Sequence, residues 1–540
     1  MPLALPLLLA FAAQAADHGV AQPVTREGLL AAFDAAVASP LDPERRPACL
    51  TGLVMDLKAN WELLTPADQQ RVAGFLAPWK GDGLSVRGAL RGDAPPAPPP
   101  ATHDAPCFGH QSSNYRLTDH FSIEWESDAD ADLVDAFAEA LEHSFQREVN
   151  ELGWTRPLGT DQYPMLAYLA HDDRYQGAYT TVDRCSNIGY VPYIVAYSGS
   201  WASASWADTM AAHEFNHTIQ FSTSYAPEFW YWEATAIWME EQVYPAANWW
   251  AYYVEAYTQR PDLGLTASDD RDQTLFYHMY GAAIFNFLLD NWFGGPDLVR
   301  QMWEDASHEW SQYDYPVWEN VEGIGLDWEE VYRTFLAANT VMDYTEHATF
   351  PTITRHEQVT SLPGEGASSA SDEPQSLGAN YIRFDDSLAA GGDLHVTIQV
   401  ESGPEQWFVQ LVSVEGSEVG EVVPIDVSSG EGDAWIAFRG DDVYLVVSPW
   451  DDDAMGYHYD WTSAPSWSYT WQAELGDGGT GDTGGDDTGY ERIDDPPVRP
   501  EDGESHVITP PCSCATGHGP AGGVLLGLLA LAGAAVRRQR

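Results

Sequence analysis

The chain has 540 residues, 44% of them hydrophobic and 12% aromatic: too long for one ordinary core and too apolar for wholesale disorder. Eighty-two acidic residues stand against 25 basic ones, a net charge of −57, which excludes nucleic acid or an anionic membrane surface as partner of the folded part. The acidity reads as solubility; weakly held Ca2+ is compatible with it, but no EF-hand spacing is present.

In chain order, residues 1–16 run apolar and close on Ala13-Gln14-Ala15, the small-x-small form of a signal-peptidase site, which predicts a secretory signal rather than a buried helix. Residues 17–93 read as a helical segment, with period-3.6 apolar spacing in Arg26 to Val37, Leu50 to Leu64 and Pro66 to Leu76. Joined through a Pro-rich linker at 94–106 to an exported chain, this segment is a candidate propeptide, with a permanent accessory domain as the alternative. Residues 107–350 are mixed α/β, with strands expected at Phe121 to Trp125, Met165 to Leu169 and Val191 to Ser198 and a long helix at Leu133 to Leu152. From 352 to 475 short alternating strands punctuated by Gly, Asp and Ser predict an antiparallel β-sandwich. Residues 476–511 are an acidic Gly-, Thr- and Pro-rich flexible stalk. The chain ends with Cys512-Ser513-Cys514, an apolar stretch from Ala521 to Val536, and Arg537-Arg538-Gln539-Arg540.

That tail resembles the myxobacterial-type C-terminal sorting signal, which implies removal of the apolar helix and a protein held at the cell surface or outer membrane, or released from it. A plain membrane anchor is the other reading, and in either case membrane contact is confined to the C-terminal segment. With Cys512 and Cys514 in the sorting motif, Cys49, Cys107 and Cys185 remain. Three cannot all pair: Cys107 with Cys185 would close a loop within one domain, and Cys49 with Cys107 would tether the N-terminal segment.

The chemistry concentrates at His213-Glu214-Phe215-Asn216-His217. Two histidines at i and i+4 on a helix project from one face and can share one ion, and Glu214 beside them can take a proton from a water that the metal activates. Gln220 and Thr223 stand where a metzincin would have Gly and His, so that branch is excluded. Downstream, Trp232-Glu233-Ala234-Thr235-Ala236-Ile237-Trp238-Met239-Glu240-Glu241 completes a pattern that resembles the gluzincin zinc metallopeptidases, HExxH…E. The resemblance covers about residues 107–350. It implies an α+β zincin-like domain holding one catalytic Zn2+, with His213, His217 and Glu233 as ligands and Glu214 as general base. Glu240 is expected to support a ligand, while Glu228, Glu240 and Glu241 stay open as substitute ligands. Tyr280 is the first choice for stabilising the oxyanion, ahead of Tyr277 and His278. The strand at Val191 to Ser198 is expected to edge the cleft and pair with an extended peptide.

The expectation is an α+β zincin-like domain preceded by a helical segment and followed by a β-sandwich, acting as a monomeric, exported, surface-associated metalloendopeptidase on peptide or protein substrates. The alternatives are a catalytically idle surface adhesion module and a zinc hydrolase of non-peptide substrates.

Overall fold

A computed structural model describes residues 24–476 apart from short internal stretches, the longest being 39–48, 80–104 and 453–460. The expected secretory signal, nearly all of the Pro-rich linker and stalk, and the Cys512/Cys514 tail lie outside the described residues. Among the described residues no helix is long and apolar enough to cross a membrane.

The N-terminal segment forms helices α1 (Arg26–Ala38), α2 (Thr51–Ala59) and α3 (Pro66–Leu76). Local chemistry starts α3: Pro66 occupies its first turn, and the Thr65 side chain and Asp68 cap each other reciprocally. Five strands follow, β1 (Asn114–Leu117), β2 (Phe121–Trp125), β3 (Met165–Ala170), β4 (Ala178–Cys185) and β5 (Gly189–Tyr197), with α4 (Ala131–Phe145) between β2 and β3. They form one sheet in the order β1-β2-β3-β5-β4, in which β2, β3 and β5 run parallel and the outer strands antiparallel.

Strand alternation explains why this sheet is covered on both sides. Met165, Ala167, Leu169, Ile194 and Ala196 point into the main core. Leu166, Tyr168, Ala170, Tyr179, Tyr193, Val195 and Tyr197 point the other way, against Phe33, Leu53, Val54, Leu57 and Phe75 of α1–α3. The N-terminal segment is therefore the outer layer of this sheet.

On the inner face lie α5 (Ala204–Thr223), α6 (Phe229–Val243), α7 (Trp250–Gln259) and α8 (Gln273–Gly281), then α9 (Ile284–Leu288), α10 (Pro296–Ala306), α11 (Val317–Gly323) and α12 (Trp328–Ala338). Gly281 is required where α8 meets α7: a Cβ there would stand 2.4 Å from the Tyr253 carbonyl oxygen. The helix expected at Leu133 to Leu152 begins as α4 and finishes in a π-turn, Gln146–Glu151, that buries Glu148.

The C-terminal region has two antiparallel-rich sheets. One contains β6 (Glu357–Val359), β8 (Asn380–Phe384), β10 (Gln406–Glu415), β11 (Glu418–Pro424) and β13 (Asp442–Trp450); the other contains β7 (Gly364–Ala367), β9 (Asp393–Val400), β12 (Glu431–Ala437) and β14 (Tyr469–Gly476). Three of these strands, β6, β7 and β11, escape the sequence reading because their residues are polar or Gly-rich. Ile382, Val396, Ile398, Leu411, Leu445 and Trp471 fill the space between the sheets. The first sheet has no solvent face along β10 and β13: Phe408, Val412, Tyr444 and Val446 belong to the same core as the helices. Tyr332 of α12 reaches Ser448 at 2.9 Å, and Gln410 donates to the Arg333 carbonyl at 3.0 Å.

The helical layer and the sandwich thus share one core. Phe408→Ala, which removes a fully buried ring packed 4.9 Å from Tyr332, should cost about 3–5 kcal/mol. Calorimetry should show the whole folded region shifting in one transition; a sandwich transition shifting alone would contradict this shared core.

Candidate metal centre

Helix α5 carries His213 and His217 one turn apart, and their Nε2 atoms approach to 3.2 Å. Their other nitrogens are committed elsewhere. His213 Nδ1 meets Glu240 Oε1 at 3.0 Å, and His217 Nδ1 meets Gln220 Oε1 at 2.6 Å. The Gln220 amide nitrogen donates to Asn216 Oδ1 and the Trp232 carbonyl, so its oxygen must face the ring. Both imidazoles therefore donate from Nδ1 and turn Nε2 inward.

Glu233 of α6 brings Oε2 to 3.2 Å from His213 Nε2 and 3.5 Å from His217 Nε2. The fourth atom is Cys49 Sγ, 3.4 Å from His217 Nε2. All four donor atoms lie within 4.8 Å of one another. The group is sealed: Cys49 is 4% exposed, His213 and Glu233 1%, and His217 fully buried.

Electrostatics show what this arrangement requires. Burial disfavours the His213 imidazolium, but the hydrogen bonds to Glu233 and Glu240 outweigh it and hold the pKa up at about 9. Burial also works against the Glu233 carboxylate, yet His217 and His213 pull its pKa down to about 2. Two inward-facing nitrogens beside a carboxylate thus demand a positive charge between them. Two nitrogens, one carboxylate oxygen and one sulfur suit a tetrahedral borderline ion such as Zn2+ and not Ca2+, which takes oxygen ligands.

Glu214, fully buried, is adjacent. Its Oε2 accepts from Thr180 Oγ1 of β4 at 2.8 Å, and its Oε1 has no hydrogen bond. Burial raises its pKa in spite of the opposing pull of His217 and His213. Tyr280 of α8 lies on the far side, its ring parallel to that of His213 at 6.1 Å and its hydroxyl donating to the Cys49 carbonyl at 3.2 Å.

Of the other residues singled out from the sequence, Tyr277 packs on the rings of Tyr252 and Tyr253. His278 bonds the Gly264 carbonyl at 2.9 Å and stacks on Tyr257; burial lowers its pKa to about 4, and its contacts lie apart from the cluster. Glu228 accepts from Trp230, and Glu241 from Trp250, so each of these carboxylates already has an indole partner. Cys107 and Cys185 form a disulfide, and Cys49 is a free, buried thiol. Asp385, Asp386 and Asp442 also gather on the sandwich, but Arg383 already bonds Asp442 at 2.6 Å.

One expectation is overturned. The strand at 191–198, which forms most of β5, lies inside the sheet, because the β4–β5 hairpin sets β5 against β3 and leaves β4 outermost; β4 is the edge strand beside α5. Three contributors were missed by sequence reasoning: Cys49, Thr180 and Gln220. The odd, unpaired cysteine was a signal for the first; nothing in the local sequence marks the other two.

With this geometry in hand, comparison with known proteins gives a family. A model for DUF6055, a family of unknown function, matches residues 123–411, more than half of the chain, so the chain belongs to that family. No curated protein matches. Among solved structures, the pre-peptidase C-terminal domain of a collagenase from Bacillus anthracis is 12% identical, is covered completely by 23% of this chain, and superposes with a TM-score of 0.17. A family GH115 4-O-methyl-α-glucuronidase with specificity for decorated arabinogalactans is 11% identical, with 52% of this chain covering 40% of that one at a TM-score of 0.13. At such scores neither bears on fold or activity.

Two predictions follow from the cluster. The hydrogen bonds to Glu233 and Glu240 raise the His213 pKa to about 9, so a Zn2+ ion bound at its Nε2 would have to displace a proton at neutral pH. Calorimetric titration in buffers of different ionisation enthalpy should show about two protons released per ion, one from His213 and one from the Cys49 thiol, which burial holds protonated, with affinity rising steeply with pH. Gln220→Ala frees His217 Nδ1 and should weaken Zn2+ binding roughly 10- to 100-fold in a competition titration, without unfolding.

Proposed function

We propose that this chain is an exported zinc metalloendopeptidase of zincin type, with His213, His217 and Glu233 as the metal ligands. The observation that carries the reading is the pair of imidazoles turned Nε2 to Nε2 at 3.2 Å, with the Glu233 carboxylate against both and Glu214 alongside. When bound, the ion supplies Lewis acidity, polarising a carbonyl and acidifying water.

The chain's own residues do the rest. Glu240 and Gln220 fix the rings of His213 and His217 through Nδ1. Thr180 holds Glu214 by one oxygen, leaving Oε1 to accept a proton from the attacking water and pass it to the leaving amine. Its raised pKa helps the second step, since the protonated form must survive long enough to donate. Tyr280 is the hydroxyl donor for a carbonyl oxygen that gains charge in the transition state. The edge of β4, at which residues 49–51 lie in this structure, would pair with an extended peptide once they withdraw, which favours peptide over a small non-peptide substrate. Residues 1–16 and 512–540 carry the proposal of export and surface retention.

A second reading has one observation in its favour: Cys49 supplies a fourth protein donor, as in closed structural zinc sites. Substitution separates them. Glu214→Gln should keep one Zn2+ per chain and lower casein hydrolysis about 10²- to 10⁴-fold, while His213→Ala and His217→Ala should lose metal and activity together. Tyr280→Phe should lower kcat about 10²-fold or more with KM little changed. Because the N-terminal segment covers the site, hydrolysis is measured before and after limited cleavage between residues 80 and 104. Full activity in Glu214→Gln, or none in any form of the parent, would leave the structural reading standing.

A further inference from the structure

The N-terminal segment does more than cover the sheet: its residues 49–51 lie where a substrate would lie. Cys49 bridges to Ala178 at the free edge of β4, Leu50 N–H donates to the Ala178 carbonyl at 2.8 Å, and Thr180 N–H donates to Thr51 Oγ1 at 2.9 Å. The backbone positions on which an extended peptide would pair are thus taken by the chain itself. The Cys49 carbonyl accepts from Tyr280, the hydroxyl assigned above to a substrate carbonyl. The thiol of the same residue stands 3.4 Å from His217 Nε2, as the fourth donor of the cluster. One short stretch therefore occupies three places at once: the pairing edge, the carbonyl donor and the remaining metal position.

We propose that residues 49–51 are a built-in inhibitory strand, that Cys49 is the sulfur donor that closes the metal's fourth position, and that the chain with its N-terminal segment docked is a latent form of the enzyme. The inference rests on the catalytic reading of the His213, His217 and Glu233 centre. A catalytic zinc keeps a position open for water, and four protein donors leave none. Opening the site requires only that the sulfur and its strand withdraw, since His213, His217 and Glu233 all come from α5 and α6 and keep their supports.

The way the segment is held fits a layer that is made to stay until removed. Phe75 packs on Phe33, Tyr175, Tyr179 and Tyr197, and its carbonyl accepts from the hydroxyls of both Tyr179 and Tyr197. Lys58 donates to Thr181 Oγ1 and the Val182 carbonyl on β4. The surface the segment leaves behind is rich in tyrosine, whose hydroxyls can return to water when the segment goes. The buried thiol of Cys49 is the point at which such a layer can be unlocked chemically, because a reagent that captures the sulfur removes the fourth donor without touching the other three.

The test uses the full chain loaded with one Co2+ in place of Zn2+, and acetohydroxamate as a small probe for an open metal position. The parent should show a sulfur-to-cobalt charge-transfer band; Cys49→Ala and Cys49→Ser should lose the band and keep one Co2+. Acetohydroxamate should bind the variants about tenfold or more tightly than the parent, since the parent's site is open in only a small fraction of molecules. Casein hydrolysis by the zinc forms should rise in parallel. Should the variants fold poorly, the parent treated with an organomercurial serves instead, with the same loss of the sulfur band and gain of hydroxamate binding expected. A parent without the sulfur band, equal hydroxamate affinity in parent and variants, or loss of the metal in both Cys49 variants would overturn the proposal, the last by making Cys49 a structural ligand. Variants that gain hydroxamate binding but leave casein intact both before and after cleavage between residues 80 and 104 would support the inhibitory strand and sink the peptidase assignment instead.

Discussion

Two imidazole nitrogens held 3.2 Å apart inside a sealed core are unfavourable unless a positive charge lies between them, and much of this molecule is arranged around that demand. Glu233 supplies the negative partner, and Glu240 and Gln220 hold the rings from behind so that neither can rotate away. Those supports have supports of their own: Gln220 is oriented by Asn216 and the Trp232 carbonyl, and Asn216 in turn donates to the buried Glu148. Each layer of hydrogen bonds removes a rotamer choice from the layer inside it, which is how a centre on two helices acquires a defined geometry.

The elements that carry the centre could not be held to that tolerance by α5 and α6 alone. Helix α6 is buried almost throughout, with Trp230, Trp232 and Trp238 fully enclosed, so it has no solvent face along which to slide. The sheet behind α5 is covered on both sides, by α1–α3 outside and by α4 and α5 inside. The sandwich adds a further constraint, because β10 and β13 lend one face to the helical core through Phe408, Val412, Tyr444 and Val446. The family match ends at residue 411, inside β10, so the shared region already includes the strand that joins the two layers.

The same burial explains the electrostatic pattern. In a solvated cleft the carboxylates and imidazoles would titrate close to their ordinary values; here burial pushes both Glu214 and Glu233 up, and only Glu233, which lies against both imidazole nitrogens, is pulled back below its ordinary value. Two carboxylates close together, one kept ionised beside the cluster and one tuned towards holding a proton, is the division of labour that acid–base chemistry at a metal needs. His278, which burial lowers to about 4, shows the contrasting outcome for an imidazole bonded to a backbone carbonyl and not to a carboxylate.

What the sequence determined by itself is local. The i, i+4 spacing of His213 and His217 aims both rings from one helix face, and the resemblance to the HExxH…E pattern implied Glu233, so three members of the cluster were legible before any tertiary contact was known. The alternation of β8, β9, β10 and β13 was legible for the same reason: side-chain direction follows from backbone period. The neighbours that arrive from far along the chain were not. Cys49 meets His217 across 168 residues, Thr180 meets Glu214 across 34, and β4 takes the sheet edge in place of β5. Strand order and the docking of a distant segment depend on which apolar faces find each other, and no short-range pattern encodes that choice. Composition read Cys49 only as a candidate for a disulfide, whereas the Cys107–Cys185 pairing left it free, and the packing of α2 against β4 brought its sulfur beside the two imidazole nitrogens.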